Sequence, residues 1–390
     1  MIYREFSNRI NFNPSALGFG LMRLPLKEDE SIDIEEAVKI VRYAIDNGVN
    51  YIDTAYFYHA GESERVMAKV LKDGYREKVK IADKMPLWSV KEEGDLDKIF
   101  FDQLTKLEVK KIDFYLLHAL SKDSLKVIKK YNVLSWLEKK KAEGYIDYLG
   151  FSAHDRRSNI KKIIDYYDWD FCMLQFNLVD KYKQAGITGI KYAHQKGLGV
   201  IVMEPLRGGQ LTKNVPNEIQ SMWLKMANLN KSKNVTSVKY LLDWIWNFEE
   251  VGFLLSGMSD MNQVHENSHY ANQAKKNILT KKQLALYNRI QKAYLEIITI
   301  NCTQCNYCKI CPLKLPIPYI FEKLNEVKRF ENQKTPTFQY HFLTEAKKAH
   351  NCIDCKKCIE CCPQKLDIPA LLKKCSAVFD EKIDFRKIFK

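Results

Sequence analysis

Ten of the eleven cysteines lie between Cys302 and Cys375, and eight of them fall into two spaced runs. The first is Cys302-x2-Cys305-x2-Cys308-x2-Cys311, followed by Pro312; the second is Cys352-x2-Cys355-x2-Cys358-x3-Cys362, followed by Pro363. Three thiolates at successive three-residue steps let a short loop wrap one corner of an iron–sulfur cubane, and the fourth, before a proline, comes from elsewhere. Where one chain holds two such runs, the fourth cysteine of each ligates the other cluster. That rule assigns Cys302, Cys305, Cys308 and Cys362 to one [4Fe–4S] cluster, and Cys352, Cys355, Cys358 and Cys311 to a second. Zinc sites built from four cysteines usually join two C-x2-4-C pairs across a longer loop, a form neither run has. Cys361 adjoins Cys362, but the x3 spacing and the following proline favour Cys362 as the ligand. Cys375 has no partner motif and reads as a packed thiol.

A second set of reactive residues is dispersed through the first 275 positions, at the ends of short apolar runs. Asp53 to Tyr58 closes one run, Asp83-Lys84 the next, His118 a third and Ser152-Ala153-His154 a fourth. Taken singly, each has an ordinary structural use. Taken together, they supply an acid, a phenol, an ammonium and an imidazole. A buried ammonium beside a phenol favours the phenolate and lowers its pKa. A carboxylate keeps the ammonium charged, and an imidazole can orient a carbonyl or relay a proton. Such a set can donate a proton to a carbonyl that is becoming an alcohol.

The elements that must position these groups are legible. Eight β-type runs occur, over 17–22, 51–54, 79–84, 114–118, 148–152, 171–175, 199–203 and 252–256. Amphipathic stretches separate them. In the first, Ile34, Ala37, Val38, Val41, Ala44 and Ile45 recur at helical spacing, and Gly48 stops the helix. Strand–helix alternation implies parallel strands with right-handed crossovers. Eight units in about 270 residues fit a (β/α)8 TIM barrel, whose chemistry sits at the C-terminal strand ends. A doubly wound sheet would carry a G-x-G-x-x-G turn after a strand, and no run is followed by one.

Composition bounds the rest. The 390 residues are 46% hydrophobic and 28% charged, with 16 Gly and 11 Pro, which excludes disorder and collagen. No apolar run approaches a membrane span, and the first residues lack an apolar signal region, so a cytoplasmic location is expected. Disulfides fit such a chain poorly. The net charge of +14 divides evenly, +7 in residues 301–390 and +7 in the remainder, which reads as solvated faces rather than a nucleic-acid patch. The cysteine boundary predicts a barrel over 1–280, a connecting helix over 281–300 and an iron–sulfur domain over 301–390.

Several motifs together carry a resemblance. They are Leu17-Gly18-Phe19-Gly20 with Met22-Arg23-Leu24-Pro25; Asp53-Thr54-Ala55…Tyr58…Gly61-Glu62-Ser63-Glu64; Lys84; Asp113…His118; and Gly150-Phe151-Ser152. Glu204-Pro205-Leu206…Gly208-Gly209 and Ser256-Gly257…Glu266-Asn267 complete the set. In this order they resemble the aldo/keto reductases over residues 1–275. The resemblance implies a nicotinamide cofactor across the top of the barrel and a catalytic set of Asp53, Tyr58, Lys84 and His118, with Tyr58 as general acid. It implies that Ser152, with the position of Met173, meets the carboxamide and that Gly20 and Met22 border the cofactor. It places Glu204, Pro205, Leu206 and Gly208 at the pyrophosphate, and Gly257, Met258, Ser259, Gln263, Glu266 and Asn267 at the adenosine end. The chain departs from many members at Ala153 (Asn), at Met173 (Gln), and at Gly257 and Gln263, where NADPH-preferring members carry Lys and Arg. NAD is then at least as well suited as NADP, and a flavin is not excluded. Tyr56, Phe57, Trp88 and Leu120 are candidates for an apolar substrate pocket.

About 40 residues separate the cysteine runs, with helical patterns near 319–330 and 342–350. This tail resembles a mainly α-helical ferredoxin-type domain, and the whole chain resembles reductases that carry one. The expected function is carbonyl–alcohol interconversion with NAD(P) and two [4Fe–4S] clusters. The clusters are structural, or shape the substrate pocket, or exchange electrons with a ferredoxin or flavodoxin. The alternative is a non-hydride electron carrier or redox sensor on the same scaffold.

Overall fold

The computed structural model describes every residue except 30, 210, 213–214, 231–235, 297–298, 301, 303–306, 361, 363–365 and 390. Cys305 and Cys361 therefore lie outside the described residues. The chain divides into two compact units, Met1–Gly208 with Thr236–Leu279, and Gly209–Val235 with Thr280–Lys390.

The first unit is a closed barrel of eight parallel strands in sequence order. They are β1 (Leu17–Gly20), β2 (Tyr51–Asp53), β3 (Lys80–Met85), β4 (Ile112–Leu120), β5 (Ile146–Ala153), β6 (Phe171–Gln175), β7 (Gly199–Met203) and β8 (Phe253–Ser256). Each overlaps one of the eight apolar runs. Three helices illustrate the crossovers: α1 (Ile34–Asp46), α2 (Ser63–Leu71) and α3 (Gly94–Leu107). α1 starts where the Asp33 carboxylate accepts the Glu36 N–H at 3.1 Å, and it buries Ala37, Ile40, Val41, Ala44 and Ile45. Gly48, at φ +96°, ends the turn as expected.

Inside the barrel, Phe6, Ile10, Tyr51, Phe114, Phe171, Met173, Ile201 and Phe253 form one apolar cluster. Phe6 meets the Phe253 ring edge-on at 5.2 Å between centroids. The strand starts leave room for it: a Cβ on Gly199 would stand 2.5 Å from the Phe6 ring, and one on Gly252 would overlap it. The packed core forces polar inward-facing residues toward the C-terminal strand ends.

The second unit is built from helices. Asn217–Leu229 and Lys281–Glu296 pack together through Trp223 and Tyr287, whose ring centroids are 6.0 Å apart. Ile317–Arg329 covers the first helical pattern expected after the cysteine run. The pattern at 342–350 is not an α-helix. It forms two 3-10 turns, Glu345–Lys347 and Ala349–Asn351, while Lys334–Tyr340 is helical instead. Thr344 (ψ 152°) and Lys348 (ψ 158°) are extended and break the helical period. Among the described residues no helix is long and apolar enough to cross a membrane.

Phe6→Ala leaves the glycine-lined space empty. It should cost about 3–5 kcal/mol in the unfolding of the barrel unit, read by denaturant titration of barrel tryptophan fluorescence, whereas Phe57→Ala at an exposed site should cost under about 1 kcal/mol.

Candidate functional site

Asp53 ends β2 and Lys84 is next to last in the adjacent β3; both point into the barrel and are almost completely buried. The Lys84 ammonium donates to Asp53 Oδ1 at 2.5 Å and to the Thr54 carbonyl at 2.5 Å, and it lies 3.5 Å from the Tyr58 hydroxyl. Burial opposes the ammonium charge, but Asp53 and Tyr58 outweigh it and hold Lys84 above its ordinary pKa. Burial likewise lifts the Asp53 carboxyl despite Lys84. Tyr58 differs from the sequence expectation. Lys84 does pull its pKa down, but burial is the larger effect, and the phenol sits above its ordinary value.

Local backbone explains how Tyr58 arrives there. The turn after it holds His59 (φ 51°), Ala60 (φ 54°) and Gly61 (φ 94°), three left-handed residues in a row. His59 Nε2 accepts the Leu24 N–H at 3.3 Å, tying the turn to the segment after β1. His118 is aimed by another irregularity. The β4–β5 register shifts between Leu117 and Leu120, Ala119 has φ 51°, and its N–H donates to Ser152 Oγ at 2.9 Å. The His118 and Tyr58 rings meet edge-on at 6.0 Å between centroids. Burial, then Lys84 and His154, push His118 down to about 3, so the imidazole is neutral. Its Nδ1 and Asp53 Oδ2 are buried without hydrogen-bond partners, leaving polar atoms free for a bound molecule.

Beyond these four, Trp88 packs on His118 at 5.1 Å and stacks with Phe57 at 5.9 Å. Both are about half exposed. Together they wall one side of this polar cluster.

A polar layer behind Lys84 has no distinctive sequence signal. Asp83 Oδ1 accepts the Lys84 N–H at 2.8 Å, Gln103 donates to the Lys84 carbonyl at 3.0 Å, and Tyr115 donates to Gln103 at 2.5 Å. Glu64 and Asp83 are both fully buried, both Glu64 carboxylate oxygens and Asp83 Oδ2 have no hydrogen-bond partner among the described residues, and Lys106 lies 3.4 Å from Glu64. Burial, then the neighbouring Glu64, pushes Asp83 far above the carboxylate range. Alternation along β3 made Asp83 face away from the barrel interior; its partner on α2 was not legible.

The remaining expected cofactor residues divide. Gly20 and Met22 lie at and just after the end of β1, and Ser152 is the next-to-last residue of β5. Gly208 and Gly257 both lie against Arg23. Met173 belongs to the apolar cluster below, and Gln175 is the inward residue at the β6 end. Gln175 donates to Asp180 at 2.9 Å, and Asp180 also takes Arg207 at 3.3 Å. Asn177 donates to the carbonyl of Glu204, itself at φ 53°. Met258 is fully buried, and Asn267 donates to Ser256 Oγ at 3.1 Å. Ser259 and Gln263 belong to a helix cap: the Ser259 N–H donates to Gln263 Oε1 at 3.1 Å. Glu266 accepts from the Tyr270 hydroxyl. Pro205 is buried and Leu206 partly so. Asp113 is structural, accepting from Ile81, Arg76 and Lys80 at the other end of the sheet.

In the second unit, Cys311, Cys352, Cys355 and Cys358 line one cavity with Leu313, Leu315, Ile317, Ile353 and Lys356. This is the second expected ligand set, with Cys311 arriving from the other run. Cys302, Cys308 and Cys362 pack in the same core, and Cys305 lies outside the described residues. Asn325 braces the approach to Cys302: its Oδ1 accepts the Thr299 and Ile300 N–H groups at 2.9 and 2.6 Å. Cys375 is fully buried, and burial raises its thiol.

The Aldo/keto reductase family model matches residues 16–292, and the 4Fe-4S dicluster domain model matches residues 301–366. An L-galactose dehydrogenase of Arabidopsis thaliana is 28% identical over 281 residues, 65% of this chain and 83% of that protein. Two solved structures share the barrel. An aldo-keto reductase from Bacillus halodurans in its holo form is 22% identical at a TM-score of 0.58, over 74% of this chain and 96% of that one. Another from Klebsiella pneumoniae, in complex with NADPH, is 20% identical at a TM-score of 0.58, over 75% and 96%.

Because His118 is depressed in the folded chain from 6.5 to about 3, its contribution to stability is present above pH 6.5 and lost as pH falls toward 3. Acid titration of the melting temperature should therefore show a decline across that window, and the decline should be shallower in His118→Asn.

Proposed function

The chain belongs to the aldo/keto reductase family and carries a C-terminal 4Fe–4S domain; from that premise we propose that it reduces a carbonyl to an alcohol with a nicotinamide dinucleotide. The observation that carries the reading is the buried Asp53–Lys84 pair within reach of the Tyr58 hydroxyl. The free polar atoms of His118 and Asp53, and the bare backbone at Gly208 and Gly257, fit a polar cofactor and substrate at the strand ends. A bound reduced nicotinamide supplies the hydride.

This chain's residues handle the proton. Tyr58 gives its phenolic proton to the oxygen of the carbonyl as charge develops there. Lys84, held cationic by Asp53, stabilises the phenolate left behind. Neutral His118 donates a hydrogen bond to the same oxygen and fixes its position. Trp88 and Phe57 give the substrate an apolar wall and favour an aromatic or aliphatic aldehyde over a highly charged one. A phenol above its ordinary pKa is protonated at neutral pH, which suits reduction. Alcohol oxidation needs the phenolate, so its rate should climb with pH while reduction stays level from about pH 6 to 8.

NAD and NADP both remain candidates. The chain resembles an NADPH-bound structure in fold, but it carries Gly257 and Gln263 where a 2′-phosphate would want cations.

The tail residues fit two [4Fe–4S] clusters. Cys311, Cys352, Cys355 and Cys358 would hold one; Cys302, Cys305, Cys308 and Cys362 would hold the other. Such clusters supply one-electron transfer. Cys355, Ile353 and Lys356 are exposed at the first of these sites, which favours electron exchange with an acidic ferredoxin or flavodoxin as a second role.

Two variants test these assignments. Tyr58→Phe should lower turnover of a test aldehyde at least ~100-fold and leave dinucleotide affinity nearly unchanged. Full activity would refute the proton-donor role. Cys311→Ala should abolish the cluster shared with Cys352, Cys355 and Cys358 and halve the iron content, with the other cluster's electron paramagnetic resonance signal retained.

A further inference from the structure

Arg23 ends the 3-10 turn Leu21–Arg23, directly after β1 at the mouth of the barrel. Its side chain is exposed, and among the described residues it has no hydrogen-bond or ion-pair partner. It is nonetheless seated. A Cβ on Gly208, after β7, would overlap Arg23 Nη2, and Gly208 has φ +63°. A Cβ on Gly257, after β8, would stand 3.2 Å from Arg23 Cβ and 3.4 Å from its Cδ. The guanidinium thus lies in a trough formed by two glycine turns, the sides of which any larger residue would fill.

Neighbouring charges at this rim are already committed. Lys84 is bound to Asp53, and Arg207 lies 3.3 Å from Asp180. The N-terminus of the helix Met261–Ala271 is capped by its own residues: Asp260 Oδ1 accepts the Gln263 N–H at 2.9 Å, and Gln263 Oε1 accepts the Ser259 N–H. That carboxylate repels an anion from the helix end. Of these rim cations, Arg23 is the one among the described residues without an anionic partner. In TIM barrels the loops after strands 7 and 8 frequently form a phosphate site, and a guanidinium reads phosphate oxygens through two parallel N–H bonds.

We propose that Arg23 binds the pyrophosphate of the dinucleotide, clamped over the Gly208 and Gly257 turns, and is the main side-chain cation for that group. The assignment rests on the nicotinamide reading given above. It predicts no preference between NADH and NADPH from Arg23 itself, because the pyrophosphate is common to both. It also gives Gly208 a second reason to be glycine: an alanine there would displace the guanidinium.

The test is equilibrium binding to the cluster-loaded full chain, prepared without oxygen, with NADH, NADPH and ADP-ribose as probes. Native protein is titrated first. If it binds none of the three, the nicotinamide reading and this assignment both fall. If it binds them, Arg23→Leu should weaken all three by a similar factor, about 10- to 100-fold, and flatten the salt dependence of binding. Arg23→Lys should recover part of the loss. Gly208→Ala should weaken the same three probes with Arg23 still present. Affinities within twofold of native in Arg23→Leu, with native binding intact, would overturn the assignment while leaving the reductase reading standing. A loss confined to NADPH would overturn it too, since it would place Arg23 at the 2′-phosphate. The near-ultraviolet circular dichroism of each variant confirms that the barrel is folded.

Discussion

A lysine ammonium buried inside a β-barrel is the constraint on which the site depends. Its desolvation costs several kcal/mol unless an anion stands beside it and its remaining protons find acceptors. Here Asp53 and the Thr54 carbonyl meet both needs at 2.5 Å. That requires β2 and β3 to run parallel in one register, with Ile52 opposite Ile81 and Asp53 opposite Ala82. It also requires the backbone of Lys84 to be held from behind, which Asp83 and Gln103 do. Burial sets the states of Tyr58 and His118 first, and the fixed charge acts on both second: it favours ionisation of the phenol and adds to the burial that keeps the imidazole neutral. Removing Asp53 alone would leave an uncompensated charge in the core, so stability and chemistry share one pair.

Much of this was legible in the sequence, for definable reasons. Parallel strands buried on both faces are continuous apolar runs, so all eight overlap their expected positions, and polar residues at their C-terminal ends stand out against them. Backbone irregularity has no such signal. The left-handed run at His59–Gly61 and the bulge at Ala119 aim Tyr58 and His118, yet their residues are unremarkable in type. Period-2 alternation shows why Met173 and Gln175 share one face but sit at different heights, which motif matching alone did not separate. The pairing of Glu64 with Asp83 needs two elements to meet and could not be read from either. In the tail, helical periodicity alone misassigned residues 342–350, because extended Thr344 and Lys348 interrupt a pattern whose composition is helical.

The two units pose different physical problems. The barrel buries a charge network within a large apolar core. The tail has a small core in which cysteines are part of the packing: Cys308, Cys358 and Cys362 are buried among Ile317, Ile320, Leu372 and Phe379. Apolar surroundings raise a free thiol, as at Cys358, where burial pushes the pKa up to about 11. Binding of iron by the proposed ligands would draw such thiols to the thiolate. Asn325 holds Thr299 and Ile300 to its helix, and Cys311 of one run lines a cavity with Cys352, Cys355 and Cys358 of the other.

In the proposed reaction a hydride passes directly to a carbonyl in the barrel, with Tyr58 and its buried partners handling the proton. The measurement that tests it most directly is a single-turnover experiment without oxygen. Cluster-loaded protein is mixed with reduced nicotinamide dinucleotide carrying deuterium at both C4 positions and a test aldehyde, while the visible cluster absorbance is followed. The account predicts deuterium on the carbinol carbon of the product and no bleaching of the clusters during turnover. Bleached clusters with a product free of deuterium would contradict it and make the chain an electron-transfer protein on a reductase barrel.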